Sequence, residues 1–121
     1  MSRHNTPKKG DVYWIDPNPV SGKEMHNKHR FVIITPEEIN ALGIVMAVPI
    51  TSAGPFARNM GLTVPISGYD TNGVAVCNQI RSFDILARVK AKTASYVETL
   101  DEDLISEIVT RVLSVIEPAI E

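Results

Sequence analysis

One cysteine, Cys77, is all the thiol this 121-residue chain carries. It has no partner for an internal disulfide, so a disulfide-framed fold is excluded and a reducing cytosol fits. Lying in an apolar run, it reads as a small buried hydrophobe. Aromatics are also sparse, at 6% of residues with a single tryptophan, Trp14. No apolar run approaches the ~20 residues needed to cross a bilayer. Met1 to Lys9 is polar and basic and lacks the apolar segment of a secretory signal. No P-loop, dinucleotide fingerprint, nucleophile elbow or Cys-x-x-Cys pair occurs, which removes the common nucleotide-binding, serine-hydrolase and dithiol classes. The histidines His26 and His29, with His4 far off, have no cysteine near them and do not form a zinc pattern. No metal and no cofactor are expected.

What remains is an ordinary globular composition, 44% hydrophobic and 21% charged. That length supports one domain, expected over residues 9–121 behind a flexible lead of residues 1–8. The net charge of −2 hides an asymmetry. Residues 98–121 hold seven acids and one base, whereas the first 97 residues hold eleven bases against seven acids, a net of +4. Such a body can meet phosphate on one face while an acidic segment stays solvated, although a helix with a charged outer face accounts for the acids equally well.

Short β-branched and aromatic runs bounded by turn residues predict strands at Val12–Ile15, Phe31–Thr35, Ile44–Ile50, Gly61–Ile66 and Val74–Ile80. Ser82–Lys90 reads as an irregular continuation of the sheet. Glu37–Leu42 reads as one or two helical turns, and Ser67–Gly73 as a turn containing an Asn-Gly pair. Leu104, Ile105, Ile108, Val109, Val112, Leu113 and Ile116 recur at spacings of three and four, an amphipathic helix that Pro118 ends. Thr99 and Glu102 match a capping box at its start. Short strands sealed by one helix predict a mainly β fold: a small curled barrel, since closure removes sheet edges.

Two stretches carry the chemistry. Residues 22–30, Gly-Lys-Glu-Met-His-Asn-Lys-His-Arg, form a polar loop that runs into an apolar strand. Residues 48–58, Val-Pro-Ile-Thr-Ser-Ala-Gly-Pro-Phe-Ala-Arg, form a strand ending in two hydroxyls and a glycine turn. Arg30 offers a planar fork of donors suited to phosphate, or else a surface salt bridge. Glu24 is placed to act as a general base toward a ribose 2′-OH, or else pairs with Lys23 or Lys28. Thr51 and Ser52 can grip phosphate oxygens, or else satisfy their own turn. Phe56 beside Arg58 offers a stacking platform for bases, with burial of Phe56 as the competing reading.

These residues resemble the MazF/PemK (Kid)/ChpB family of toxin–antitoxin ribonucleases. The resemblance rests on Lys9-Gly10-Asp11-Val12 with Trp14, Asp16-Pro17 to Gly22-x-Glu24, Arg30, Val48-Pro49-Ile50-Thr51-Ser52, Gly54-Pro55-Phe56-Ala57-Arg58, Gly73-Val74 to Asn78-Gln79, and Ala87-Arg88. It implies an SH3-like barrel of the CcdB/PemK type, closed by the C-terminal helix. It also implies a metal-independent endoribonuclease that cleaves single-stranded mRNA at short sequences, by 2′-OH attack, to leave a 2′,3′-cyclic phosphate and a 5′-OH. Arg30 would then stabilise the phosphorane, Thr51 and Ser52 would hold the phosphate, and Glu24 would be the base. Contacts to RNA are expected from Lys23, His26, His29, Ser52, Phe56, Arg58, Asn78, Gln79 and Arg81. The implied setting is the bacterial cytoplasm, as a homodimer blocked by a MazE/PemI-like antitoxin. Operator DNA would be met only through the toxin–antitoxin complex, and no membrane is involved. The chain departs from the pattern at Phe31, where proline is usual, and at Lys23, where the Kid branch has histidine. Val76 and Asn78 stand at the positions of an arginine and an aspartate with an acid–base role in Kid, which shifts that role toward the loop of Glu24. Rival readings are a CcdB-like gyrase poison and a non-catalytic RNA-binding barrel; the former's C-terminal Trp-Gly-Ile is absent here.

Overall fold

The structure, a computed structural model, describes residues 6–16, 29–52 and 62–117. Seven strands form one antiparallel sheet: β1 (Asp11–Ile15), β2 (His29–Ile33), β3 (Val45–Thr51), β4 (Thr63–Ile66), β5 (Gly73–Val76), β6 (Arg81–Phe83) and β7 (Ala94–Thr99). Three helices accompany them: α1 (Glu37–Asn40), α2 (Ile85–Lys90) and α3 (Glu102–Ile116). The strand order is β4-β5-β3-β2-β1-β7, with β6 also paired to β3. No described helix is long and apolar enough to cross a membrane.

Alternation along the central strands sorts the apolar residues onto two faces, because successive side chains in a strand point opposite ways. Val12, Val32, Val48 and Ile50 lie on one face and pack with Ile105, Ile108 and Val112 of α3. Tyr13, Ile15, Phe31, Ile33 and Ala47 lie on the other and pack with Phe83 and Ile85. Both faces are covered, which explains why Phe31–Ile34 reads as a continuous apolar run instead of an alternating one. Phe31 is fully used in this face: its ring meets Phe83 edge-on at 5.0 Å. Pro49 falls where β3 changes partners, between its β6 pairs ending at Ala47 and its β5 pairs starting at Ile50. With no neighbour on that side, its missing N–H is tolerated there.

The strand path is open: among the described residues, no ladder joins β4 to β7. Closure comes from α3, whose Ile105, Ile108 and Val112 share a core with Val64 and Ile66 of β4. Side chains complete it, as Tyr69 bonds Asp101 and the Thr71 N–H donates to the Glu98 carboxylate at 2.6 Å.

Three expectations are corrected. Ser82–Lys90 leaves the sheet after Phe83 and becomes α2, because the Asp84 carboxylate accepts the Ala87 N–H at 3.0 Å and caps a helix there. Such a cap stabilises by about 1 kcal/mol. Thr99 does not cap α3, since β7 runs through it and its hydroxyl donates to Asp11 at 2.7 Å. Asp101 takes that place, accepting from the Leu104 N–H at 2.8 Å. The apolar stripe of α3 also ends early, with Leu113 and Ile116 exposed. The terminator Pro118 lies outside the described residues.

One backbone feature stands out. Lys92 follows α2 with φ of 64°. The Thr93 N–H reaches the Arg88 carbonyl at 2.8 Å and the Lys92 N–H reaches Val89 at 3.0 Å, a Schellman closure. That left-handed position favours glycine and costs another residue about 1–2 kcal/mol.

Candidate active site

Following the α3-covered face along the strands leads from core to groove. Val12, Val32 and Val48 sit side by side under the helix; two residues further along each strand come Trp14, Arg30 and Ile50, again in register. In this row Trp14 is exposed and Arg30 partly so, while Ile50 stays packed in the α3-covered core. A cavity of about 370 Å³ forms there, lined by Trp14, His29, Arg30, Ile50, Thr51, Ser52, Asp70 and Asn72. Strand ends supply His29, Thr51 and Ser52, and the turn between β4 and β5 supplies Asp70 and Asn72.

Arg30 is the centre. Its Nη1 donates to the Thr71 hydroxyl at 2.8 Å and lies 3.9 Å from the Glu98 carboxylate. The guanidinium carbon stands 5.2 Å from the centre of the Trp14 ring, a cation–π contact. Thr71 is buried, and its backbone N–H is held by that same Glu98. The arginine is therefore fixed by one nitrogen. Among the described residues, its Nη2 and Nε donors carry no hydrogen bond, and Arg30 lines the groove together with Thr51 and Ser52. A fork anchored at one tine and open at the others suits a phosphate that comes and goes.

The turn that holds Thr71 is itself pinned. The Tyr69 hydroxyl donates to Asp101, accepts the Asp101 N–H at 3.0 Å, and Asn72 donates to the Tyr69 carbonyl at 2.9 Å. The bond to Tyr69, and then the Leu104 N–H, hold the Asp101 carboxyl below its ordinary range; the same bond raises the Tyr69 phenol. Gly73 lets β5 come in close to the site. A Cβ there would lie 2.1 Å from the Thr51 carbonyl oxygen, and its φ of 135° is one that side chains rarely adopt.

Of the residues singled out in the sequence, the fold brings Arg30, His29, Thr51 and Ser52 to one groove. Asn78, Gln79 and Arg81 do not line it. Asn78 is exposed in the turn after β5, Gln79 donates its N–H to Val76 at 3.2 Å, and Arg81 stands 5.6 Å over the Phe83 ring. Val76 is buried beside Val74. Lys23, Glu24, His26, Phe56 and Arg58 lie outside the described residues. Sequence reasoning missed Thr71, Glu98 and Asp70. Thr71 and Asp70 were visible only as parts of a turn, and Glu98 only as one acid in an acidic segment. Asp70 matters because it puts a carboxylate at the groove, whereas the base the sequence offered, Glu24, lies outside the described residues. Among the described residues, no three of His, Cys, Asp and Glu converge as a metal site.

A curved antiparallel sheet sealed by a helix, with an arginine–hydroxyl groove at one end, defines a small barrel-like β class. The chain belongs to the PemK-like, MazF-like toxins of type II toxin–antitoxin systems, the family match running over residues 8–116. It is 30% identical over 120 residues to the endoribonuclease toxin ChpB of Escherichia coli K12, covering 97% of this chain and 100% of ChpB. It is 28% identical to the Escherichia coli endoribonuclease PemK, covering 96% of this chain and 86% of PemK. Its fold is shared with a MazE–MazF crystal structure from Deinococcus radiodurans at a TM-score of 0.74 and 20% identity, covering 96% of this chain and 100% of that one.

Proposed function

We propose that this protein is the toxin of a type II toxin–antitoxin pair and a metal-independent endoribonuclease acting on single-stranded mRNA. The observation that carries the reading is Arg30, anchored through Nη1 to Thr71 and lining a groove with Thr51 and Ser52. Membership of a toxin family whose relatives ChpB and PemK are named endoribonucleases supports it. So does the antitoxin seated with MazF in the Deinococcus complex, and the expected partner here is a MazE/PemI-like chain.

The reaction needs proton transfer and charge stabilisation only. A carboxylate takes the proton of a ribose 2′-OH, and that oxygen forms a bond to the adjacent phosphorus. The P–O5′ bond breaks, the departing oxygen takes a proton from an acid, and a 2′,3′-cyclic phosphate and a 5′-OH result. Arg30 meets the extra charge on the equatorial oxygens of the phosphorane, where a preorganised donor is most effective. The hydroxyls of Thr51 and Ser52 hold the phosphate in place. Glu24 is the proposed base, with Asp70 as the competing carboxylate; His29, at the same groove, can return the proton. The protein works in the bacterial cytoplasm as a homodimer, and operator DNA is contacted only with the antitoxin bound.

The test is primer extension on a long RNA incubated with purified protein in excess EDTA. Discrete cuts bearing a cyclic phosphate and a free 5′-OH are expected; loss of all cleavage on chelation would overturn the metal-free reaction.

A further inference from the structure

Trp14 walls a second cavity on the side away from Arg30. This cavity, of about 240 Å³, is lined by Trp14, Val89, Lys92, Thr93, Ala94 and Ser95. Register places it in line with the first: Trp14 pairs with Arg30 on β2 and with Ser95 on β7. Two strand spacings, about 10 Å, therefore separate the arginine from the serine, within the reach of a dinucleotide. The lining is chemically apt for one. The indole is exposed and only partly occupied by Arg30. The Ser95 hydroxyl carries no hydrogen bond among the described residues, and Lys92 stands exposed at the rim. Arg88, nearby, is by contrast already engaged, donating to the Asp16 carbonyl at 2.7 Å and stacking on Phe83.

Lys92 adds a second, independent observation. It occupies the left-handed cap position of α2, with φ of 64°, where glycine is the favoured residue. A lysine held in an unfavourable backbone conformation, at the edge of a cavity that shares the exposed Trp14 with the Arg30 groove, points to a role in binding.

We propose that this second cavity is a subsite for a neighbouring nucleotide of the same single-stranded RNA. One base stacks on the free surface of Trp14, the next phosphate meets the Lys92 ammonium, and Ser95 donates to a ribose or phosphate oxygen. This rests on the ribonuclease reading above and extends it, since the groove then holds the substrate beyond the scissile bond.

The experiment compares Lys92→Gly with wild type and with Lys90→Ala, which removes the same charge two residues away from a position outside the cavity. Initial cleavage rates on a long single-stranded RNA are measured between 50 and 200 mM salt, with kcat and KM separated. For Lys92→Gly, KM should rise roughly fivefold at low salt, and the slope of log KM against log salt should fall by about one. The effect falls on KM and not on kcat, while Lys90→Ala keeps the wild-type KM. The thermal midpoint of Lys92→Gly should rise by about 2–4 °C as the strain is released. Lys92→Asn, also tolerant of left-handed backbone, should repeat the KM effect if the glycine variant folds poorly. Wild-type KM and salt slope in both variants, or an equal effect from Lys90→Ala, would overturn the subsite. Absence of cleavage by every protein, wild type included, would instead overturn the ribonuclease reading.

Discussion

Two rows of side chains, on the same face of the same three strands and only two residues apart, do opposite work. Val12, Val32 and Val48 lie under α3 and are wholly buried. Trp14, Arg30 and Ile50 line a groove, with Trp14 exposed and Ile50 still at the edge of the core. The backbone that carries them is one ladder, so the core row fixes the spacing of the site row. A guanidinium at Arg30 needs no support of its own for position along the sheet; it needs only Thr71 and Glu98 to set its direction. The difference shows how a small fold holds a reactive constellation rigidly: the site is the unfinished end of the core.

Removing the central charge should separate the rows most sharply. Arg30→Ala is expected to lower the cleavage rate by ~10²–10³, the usual scale for one lost transition-state donor. Its thermal midpoint should stay near wild type, because Arg30 contributes little to the core. Wild-type cleavage by this variant would show that the groove is not the active site. Close behind comes the proposed base. Glu24→Gln should slow cleavage about 10²-fold, the scale of lost general-base catalysis, and Asp70→Asn much less. The reverse ranking, read from single-turnover rates, would move the base to the β4–β5 turn. Asn78→Ala should alter sequence preference or binding rather than the chemical step.

The supporting shell should give an intermediate effect. Thr71→Val leaves the fold's shape but removes the oxygen that accepts from Nη1, and Glu98→Gln removes the charge behind it. Each should lower kcat roughly tenfold with KM nearly unchanged, consistent with about 1–2 kcal/mol for a charge-assisted hydrogen bond. A Glu98→Asp variant that recovers part of the rate would mark a positioning role.

The core row should respond in the opposite sense. Ile108→Ala, at a fully buried position of α3, should destabilise by about 2–5 kcal/mol in urea unfolding. The folded fraction should still cleave at the wild-type rate. An equal loss of kcat would mean the rows are more tightly coupled than the ladder suggests.

The smallest effect is expected from pH. Burial pushes the Cys77 thiol up to about 11 and the Tyr13 phenol up to about 12, the latter with help from Asp11 and Tyr96. Groups whose folded pKa is raised stabilise fully below their unfolded values and lose that contribution as pH rises through the folded ones. Stability should therefore fall above about pH 8.5 for Cys77 and above about pH 10 for Tyr13. Cys77→Val should flatten the earlier part of that decline. Native Cys77 should also resist a thiol reagent at pH 8 until the protein unfolds. At the acid end, the depressed Asp101 carboxyl stabilises above its unfolded pKa. That contribution should fade as pH drops through its folded value, and Asp101→Asn should remove it.

Much of this was written in local pattern. The strands β1 to β5, the short α1 and the face of α3 follow from periodicity and turn residues, because each depends on neighbours within a few positions. The chemistry of Arg30, Thr51 and Ser52 was legible as well, although it is the β2–β3 pairing that brings them together. The failures are also physical. Asp84 turned an expected strand into α2 through a single cap, and Thr99 lost the α3 cap to Asp101 because β7 runs through it. What only the tertiary structure decided is which distant groups meet. The sequence separates Arg30 from Thr71 by 41 residues and Thr71 from Glu98 by 27. No spacing rule links them; the curl of the sheet and the seal of α3 do. A sequence determines its strands locally, but the partner of a charge is chosen by the chain that folds back over it.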